Sequence, residues 1–216
     1  MIDITIMMRP LGWIATHART SCASSQPLGP ARAAGLIYAE AMRTKVEIVQ
    51  GDIIEETVDV IVNAANGMLM GGGGVDGAIH HAGGPEIMAE CRELGGCATG
   101  DAKATTAGLL AARYVVHAVG PVWRGGERGE QELLASCYRR AVEVSDKLGC
   151  SSLAFPSIST GIYGFPIEQA APIALSTGIA AAEASQHVRL LRYVLFSELD
   201  LSVYEEEAER LGIVTG

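Results

Sequence analysis

From Lys45 onward the chain has a readable hydrophobic rhythm. Before it, the stretch "RTSCASSQPLGPARAAG" has two prolines, many small residues and no period. "KVEIVQGD" alternates apolar and polar residues as a half-buried strand does. "VDVIVNAAN" is nearly continuously apolar, the pattern of a strand covered on both faces. Helical spacing follows over 75–82 and 86–94. "RYVVHAVG" at 113–120 reads as a strand, and "GEQELLASCYRRAVEVSDKLG" as an amphipathic helix closed by Gly149. "SSLAFPSIS" is a strand running into a loop, 166–185 a helix with Pro166 at its start, and "LLRYVLFS" the last strand. "DLSVYEEEAERLG" is the last helix, N-capped by Asp200 or Ser202.

Strands alternate with helices long enough to serve as crossovers. This predicts an α/β domain of three layers, α/β/α, over a mixed, largely parallel central sheet. In such sheets ligands sit at the carboxyl ends of the strands. The two unusual loops, after Asn63 and after Ser157, both fall at that end. No internal repeat or second domain boundary is visible over 42–216. Residues 1–41 are read as a separate extension, on which two readings stay open. One is a mitochondrial-type presequence, since the segment contains Arg and Ser and few acids. The other is an artefactual, disordered segment ahead of a start at Met42, which implies a cytoplasmic protein.

Bulk properties narrow the function classes. The chain has 216 residues, 49% of them hydrophobic, which excludes disorder throughout. No apolar run reaches the roughly 18 residues that a membrane span needs. Net charge is −9 and uneven: residues 1–44 carry four Arg against two acids, the remainder 12 basic against 23 acidic residues. An acidic body argues against nucleic-acid partners, which require a basic surface. Five cysteines, at 22, 91, 97, 137 and 150, form no C-x-x-C pair. An odd count without that spacing argues against a disulfide framework or a structural zinc site. Cys137 and Cys150 read as small buried apolar residues.

Local charge points to the chemistry. No Lys or Arg occurs from Val46 to Cys91, nor from Ser151 to Val188, yet a loop in each stretch looks built for an anion. "GGGGVDGAIHH" leads into a helix, so unpaired N–H groups and the positive end of the helix dipole face the loop. "SISTGIYGFP" combines Ser, Thr and Gly before Pro166 opens the next helix, and successive N–H groups in such a loop form an anion nest. A diphosphate held by backbone is the physical reading; a linker for the glycine run and an ordinary turn for the second loop are the alternatives. Gly72, Gly74 and Gly77 also match a dinucleotide fingerprint, but a Rossmann turn follows its strand directly, and here "NAANGMLM" intervenes. Asn63 and Asn66 can each shape a turn through their side chains; Asn63 is the one expected to do so. His80 stands four residues after Asp76, so a helix places both on one face. His80 is the candidate for supporting Asp76, and His81 is expected to point elsewhere. His117, inside an apolar strand, is expected to be a satisfied core histidine. No spacing suggests a metal site.

Four stretches together resemble one family. "GDI" at 51–53, "VDVIVNAANGMLMGGGGVDGAIHHAGG" at 58–84, "YVVHAVGP" at 114–121 and "FPSISTGIYGFP" at 155–166 look like the macrodomain family. They are most similar to its MacroD-type branch of ADP-ribose-binding hydrolases, over about Lys45 to Gly212. The resemblance implies a cleft for ADP-ribose and no cofactor. By position, Asp52 resembles the acid that accepts from the adenine amine, with Ile53 beside it. Gly72, Gly73, Gly74 and Val75 resemble the first phosphate loop, and Ser159, Thr160, Gly161, Ile162, Tyr163 and Gly164 the second. Asn66 resembles the asparagine at the distal ribose, and Asp76 the catalytic-site aspartate of the "GVDG" motif. Phe196 resembles the position whose ring lies against adenine. The pattern of extra Cys and His found in zinc-dependent macrodomains is absent from this region.

The implied reaction is hydrolysis of an acyl ester at the distal ribose, with Asn66, Asp76 and His80 as its catalytic residues. O-acetyl-ADP-ribose and mono-ADP-ribosylated Asp or Glu side chains of proteins are the implied substrates and partners. The helix dipole at Asp76 favours a charged carboxylate, suited to orienting a ribose hydroxyl or a water. Two other functions stay open: a non-catalytic ADP-ribose reader, and an NAD-binding enzyme.

Overall fold

The computed structural model describes residues 44–215. The expectations for residues 1–41, including the presequence, lie outside them. The strands are β1 (Lys45–Gln50), β2 (Val60–Ala65), β3 (Ala102–Thr106), β4 (Tyr114–Val119), β5 (Ser152–Phe155) and β6 (Leu190–Leu195). The helices are α1 (Gly74–Gly83), α2 (Pro85–Leu94), α3 (Glu130–Lys147), α4 (Ile167–Glu183) and α5 (Glu198–Leu211), with a short 3-10 turn at Ile53–Glu55. The strands form one sheet in the order β1-β6-β5-β2-β4-β3. All neighbours are parallel except β3, which runs antiparallel to β4 at the edge.

The central strands β2, β4 and β5 are buried on both faces, which is why they read as largely apolar runs. One face packs α3, α4 and α5 around Tyr138, Phe155, Phe165, Tyr193 and Tyr204. The other packs α1 and α2 around Ile61, Ile79, Ile87 and Val115. This is the expected three-layer α/β/α arrangement. Among the described residues no helix is long and apolar enough to cross a membrane.

Three local expectations need adjustment. Strand β3 was not anticipated: "AKATT" is short and half polar, and only its pairing with β4 makes it a strand. The last helix begins earlier than expected, at Glu198. Ser197 caps it by accepting from the Asp200 N–H at 3.1 Å, so neither Asp200 nor Ser202 is the cap. Asn63 is not a turn residue: β2 runs on to Ala65 and Asn63 is fully buried within it. Gly149 does terminate α3, in left-handed conformation, one residue past the cap Leu148. Cys137 and Cys150 are buried as expected, and burial pushes the Cys137 thiol up to about 12.

Candidate functional site

The carboxyl ends of β1, β6, β5 and β2 lie side by side, and the residues singled out in the sequence follow them in that order. Three interstrand spacings make a line of about 14 Å, suited to an elongated ligand. Asp52 follows β1. Its Oδ1 caps the 3-10 turn by accepting from the Ile54 N–H at 3.2 Å. The Ile53 side chain is buried in the core, so what it can offer a ligand is its backbone. Phe196 follows β6 directly and is 81% exposed. The Gly51 N–H donates to the Leu195 carbonyl at 3.0 Å, which ties these two strand ends together.

The second loop follows β5. The Phe165 N–H donates to the Ser159 carbonyl at 3.0 Å and the Gly164 N–H to the Gly161 carbonyl at 2.9 Å, curling the loop. The Thr160 hydroxyl donates to the Ser157 carbonyl at 3.1 Å. The Trp123 N–H donates to the Tyr163 carbonyl at 2.9 Å, and Trp123 packs on Phe165, bracing the loop from outside. Gly161, Ile162 and Gly164 are exposed, and Ile162 reaches across to the first loop. A methyl group on Gly73 would lie 3.4 Å from Ile162 Cδ1. The two glycine-bearing loops therefore face each other across one cleft.

The first loop follows β2. The Asn66 Nδ2 donates to the Gly71 carbonyl at 2.7 Å and its Oδ1 accepts from the Met68 N–H at 3.0 Å. Asn66, not Asn63, is thus the asparagine that shapes a turn. Gly72, Gly73 and Gly74 are exposed and Gly73 caps α1, whose first turn carries the buried Asp76. The loop closes tightly on that helix: a Cβ on Gly77 would stand 2.5 Å from the Gly72 carbonyl oxygen. Val75, in the same first turn, is partly buried against the core beneath.

Asp76 is held by two amides. Asn63 Nδ2 donates to Oδ1 at 2.8 Å and Asn66 Nδ2 to Oδ2 at 3.2 Å. His80 lies one helical turn on, as its spacing predicts, with Nε2 3.4 Å from Asp76 Oδ1 and a side chain only 8% exposed. Among the described residues neither ring nitrogen of His80 has a hydrogen-bond partner, and the Ser159 hydroxyl is also buried without one. His81 is exposed.

His117 is a satisfied core histidine: Nδ1 faces Asn63 Nδ2 at 3.1 Å and Nε2 faces the Thr105 hydroxyl at 3.0 Å. Burial, with His80 nearby, drives its pKa down to about 3, so it is neutral. His80, Cys91 and His117 place ligand-capable atoms within 4.8 Å of one another, a grouping no sequence spacing announced. Both His117 nitrogens are already engaged, and burial pushes the Cys91 thiol up to about 11, with Asp76 and Glu90 adding to it. A cation there must first break hydrogen bonds and then remove a proton from a resistant thiol. Asn63 and Thr105 were not read as site residues. For Asn63 the available signal is a polar residue inside an apolar run, which is buried only with partners; Thr105, in the half-polar "AKATT", carries no such signal.

A groove of about 490 Å³, lined by Glu47, Glu55, Glu56 and Arg192, meets this cleft only at Asp52. Its lining is polar and internally paired through Arg192 with Glu47 and Glu56. The glycine loops and Asp76 lie instead along the other strand ends.

The model of the Macro domain family matches residues 62–174. A macro domain-containing protein of Chlorobaculum tepidum is 52% identical over 161 residues, 74% of this chain and 94% of the relative. One from Caldanaerobacter subterraneus is 50% identical over 174 residues, 79% of this chain and 99% of the relative. Among solved structures, the Oceanobacillus iheyensis macrodomain with ADP superposes with a TM-score of 0.74 at 47% identity, covering 79% of this chain and 93% of that one. The Trypanosoma brucei macrodomain in complex with ADP-ribose gives 0.70 at 35% identity, covering 77% and 74%.

Proposed function

This chain belongs to the macro domain family, and we propose on that premise that it is an ADP-ribose-binding hydrolase of the MacroD-type branch, cleaving an acyl ester at the distal ribose. One observation carries the catalytic part: a buried carboxylate, Asp76, held at both oxygens by amides beneath a glycine loop that leaves room for a ligand. A pure binding surface gains nothing from a carboxylate fixed so firmly beside an anion nest.

The ligand lies along the four strand ends. Asp52 accepts from the adenine amine, with Ile53 contributing its backbone and Phe196 its ring. The diphosphate rests between Gly72–Val75 and Ser159–Gly164, where the N–H groups and the start of α1 favour negative charge. With both ends fixed, binding energy is used to orient the ester. Water attacks the acyl carbon, the bond from that carbon to the ribose oxygen breaks, and the proton passes to the departing ribose oxygen. Asp76 accepts from the water or from a ribose hydroxyl and aims it; Asn66 holds Asp76 and faces the ribose; His80 supports Asp76 from the next turn. Glycine-loop N–H groups steady the developing negative charge. O-acetyl-ADP-ribose and mono-ADP-ribosylated Asp or Glu side chains both present such an ester.

The test is turnover of O-acetyl-ADP-ribose and of a mono-ADP-ribosylated glutamate protein, beside calorimetry with ADP-ribose and NAD. Hydrolysis of either substrate is expected, with ADP-ribose bound far more tightly than NAD. ADP-ribose binding without any turnover turns the protein into a reader. Equal affinity for NAD favours the NAD-binding reading instead.

A further inference from the structure

The hydrogen bonds beneath Asp76 have a direction that can be worked out atom by atom. An ionised carboxylate only accepts, so the Asn63 atom facing Asp76 Oδ1 at 2.8 Å is its NH₂ group. That nitrogen carries two hydrogens, and the second points at His117 Nδ1, 3.1 Å away. Nδ1 must therefore be the acceptor and the imidazole proton must sit on Nε2. Nε2–H donates to the Thr105 hydroxyl at 3.0 Å, and that hydroxyl donates to the Thr106 carbonyl at 2.9 Å. Asn63, His117 and Thr105 are all buried, so no solvent is at hand to relax the order. Register makes the chain possible: Asn63 pairs with His117 across β2 and β4, and antiparallel β3 brings Thr105 to the same face.

We propose that Thr105 and His117 are positioning residues, which lock the Asn63 amide so that Asp76 is presented as a hydrogen-bond acceptor. This rests on the hydrolase reading for its kinetic consequence, though not for its structural one. Without the Thr105 hydroxyl, Nε2–H keeps only Cys91 Sγ, 3.6 Å away, and the Nδ1–H form, in which Nε2 accepts from the Cys91 S–H, gains relative to it. Nδ1–H then meets the Asn63 NH₂, donor against donor. If the amide turns over to accept that proton, its carbonyl oxygen is set against the Asp76 carboxylate. A hydroxyl on the edge strand thus acts on the carboxylate through two intervening side chains without touching the ligand.

The experiment compares wild type, Thr105→Val and Thr105→Ser as full chains. Long-range ¹H–¹⁵N correlations read the His117 tautomer, calorimetry reads ADP-ribose affinity, and kcat and KM are measured on O-acetyl-ADP-ribose. Wild type and Thr105→Ser are expected to show the Nε2–H form with similar kcat. Thr105→Val is expected to populate the Nδ1–H form and lose about tenfold in kcat, with KM and ADP-ribose affinity unchanged. An Nδ1–H or doubly protonated His117 in wild type overturns the proposal, and that measurement needs no variant to fold. So does a Thr105→Val enzyme whose kcat matches that of Thr105→Ser, or whose affinity falls as far as its kcat. A wild type that binds ADP-ribose but turns nothing over defeats the hydrolase reading alone, and the tautomers then decide the proposal.

Discussion

The two edges of the sheet are built on opposite terms. At the amino ends of the strands, polar groups are consumed by one another. Asp59, just before β2, accepts at Oδ2 from the Ser151 N–H and hydroxyl at 2.7 and 2.8 Å and from the Ser152 N–H at 3.3 Å. Its own N–H donates to the Ser152 hydroxyl, and its carbonyl accepts from the Arg113 and Tyr114 N–H groups. One residue thereby ties together β2, β4 and β5. At the carboxyl ends the terms are reversed. The two non-glycine residues with left-handed backbone among the described residues, Leu69 and Ser159, both lie there. So do buried polar atoms that find no partner among the described residues, on Asn63, His80 and Ser159. Left-handed backbone costs on the order of 1–3 kcal/mol at each such residue, and an unmet buried polar atom a similar amount. Hydrogen bonds at the amino ends hold β2, β4 and β5 together, while the carboxyl ends keep strained, open groups that a ligand can meet.

The largest effect is expected at Asp76. Asp76→Ala should lose at least about 100-fold in hydrolysis of O-acetyl-ADP-ribose, while calorimetry finds ADP-ribose still bound. Undiminished turnover removes Asp76 from catalysis. At the opposite edge, Asp59→Ala should cost about 2 kcal/mol of stability in urea unfolding and leave ADP-ribose affinity as it was. That cost should also depend on pH in a defined sense. Burial alone would raise the Asp59 carboxyl, but the hydrogen bonds from Ser151 and Ser152 outweigh it and hold it below the usual carboxylate value. A depressed folded value stabilises above the ordinary value, about 4 for Asp, and is lost as pH falls through the folded one. The gap between wild type and Asp59→Ala should therefore be constant from neutrality to about pH 4 and shrink in stronger acid; a gap that widens there contradicts the assignment. The smallest effect is expected at Asp52, on the exposed end of the cleft. Asp52→Ala should weaken ADP-ribose by roughly tenfold with kcat at saturation unchanged. A fall in kcat as large as in affinity would mean that the adenosine end is coupled to the chemistry more closely than its distance suggests.

Most of the architecture was legible because burial writes itself into the sequence. β2 and β4 are covered on both faces and read as apolar runs interrupted only by Asn63 and His117, and α3 shows its amphipathic spacing and closing glycine. β3 was not legible, since a short edge strand of small and polar residues has no pattern until β4 stands beside it. The cap of α5 is displaced because three residues of N-cap type, Ser197, Asp200 and Ser202, compete within six positions. The loops were legible from glycine content and the local lack of cations. Asn63 was assigned a turn because an asparagine at the end of an apolar run looks the same whether the strand stops or continues for two more residues.

By itself the sequence determined the layered α/β order, the two loops at the carboxyl edge and the Asp76–His80 spacing, because each depends on residues close together along the chain. The tertiary structure alone decided which asparagine shapes the loop, that both grip Asp76, and how His117 and Thr105 are polarised behind it. Those outcomes depend on contacts between β2, β3, β4 and α1, set by strand register, and no local pattern encodes register between segments 40 or 50 residues apart.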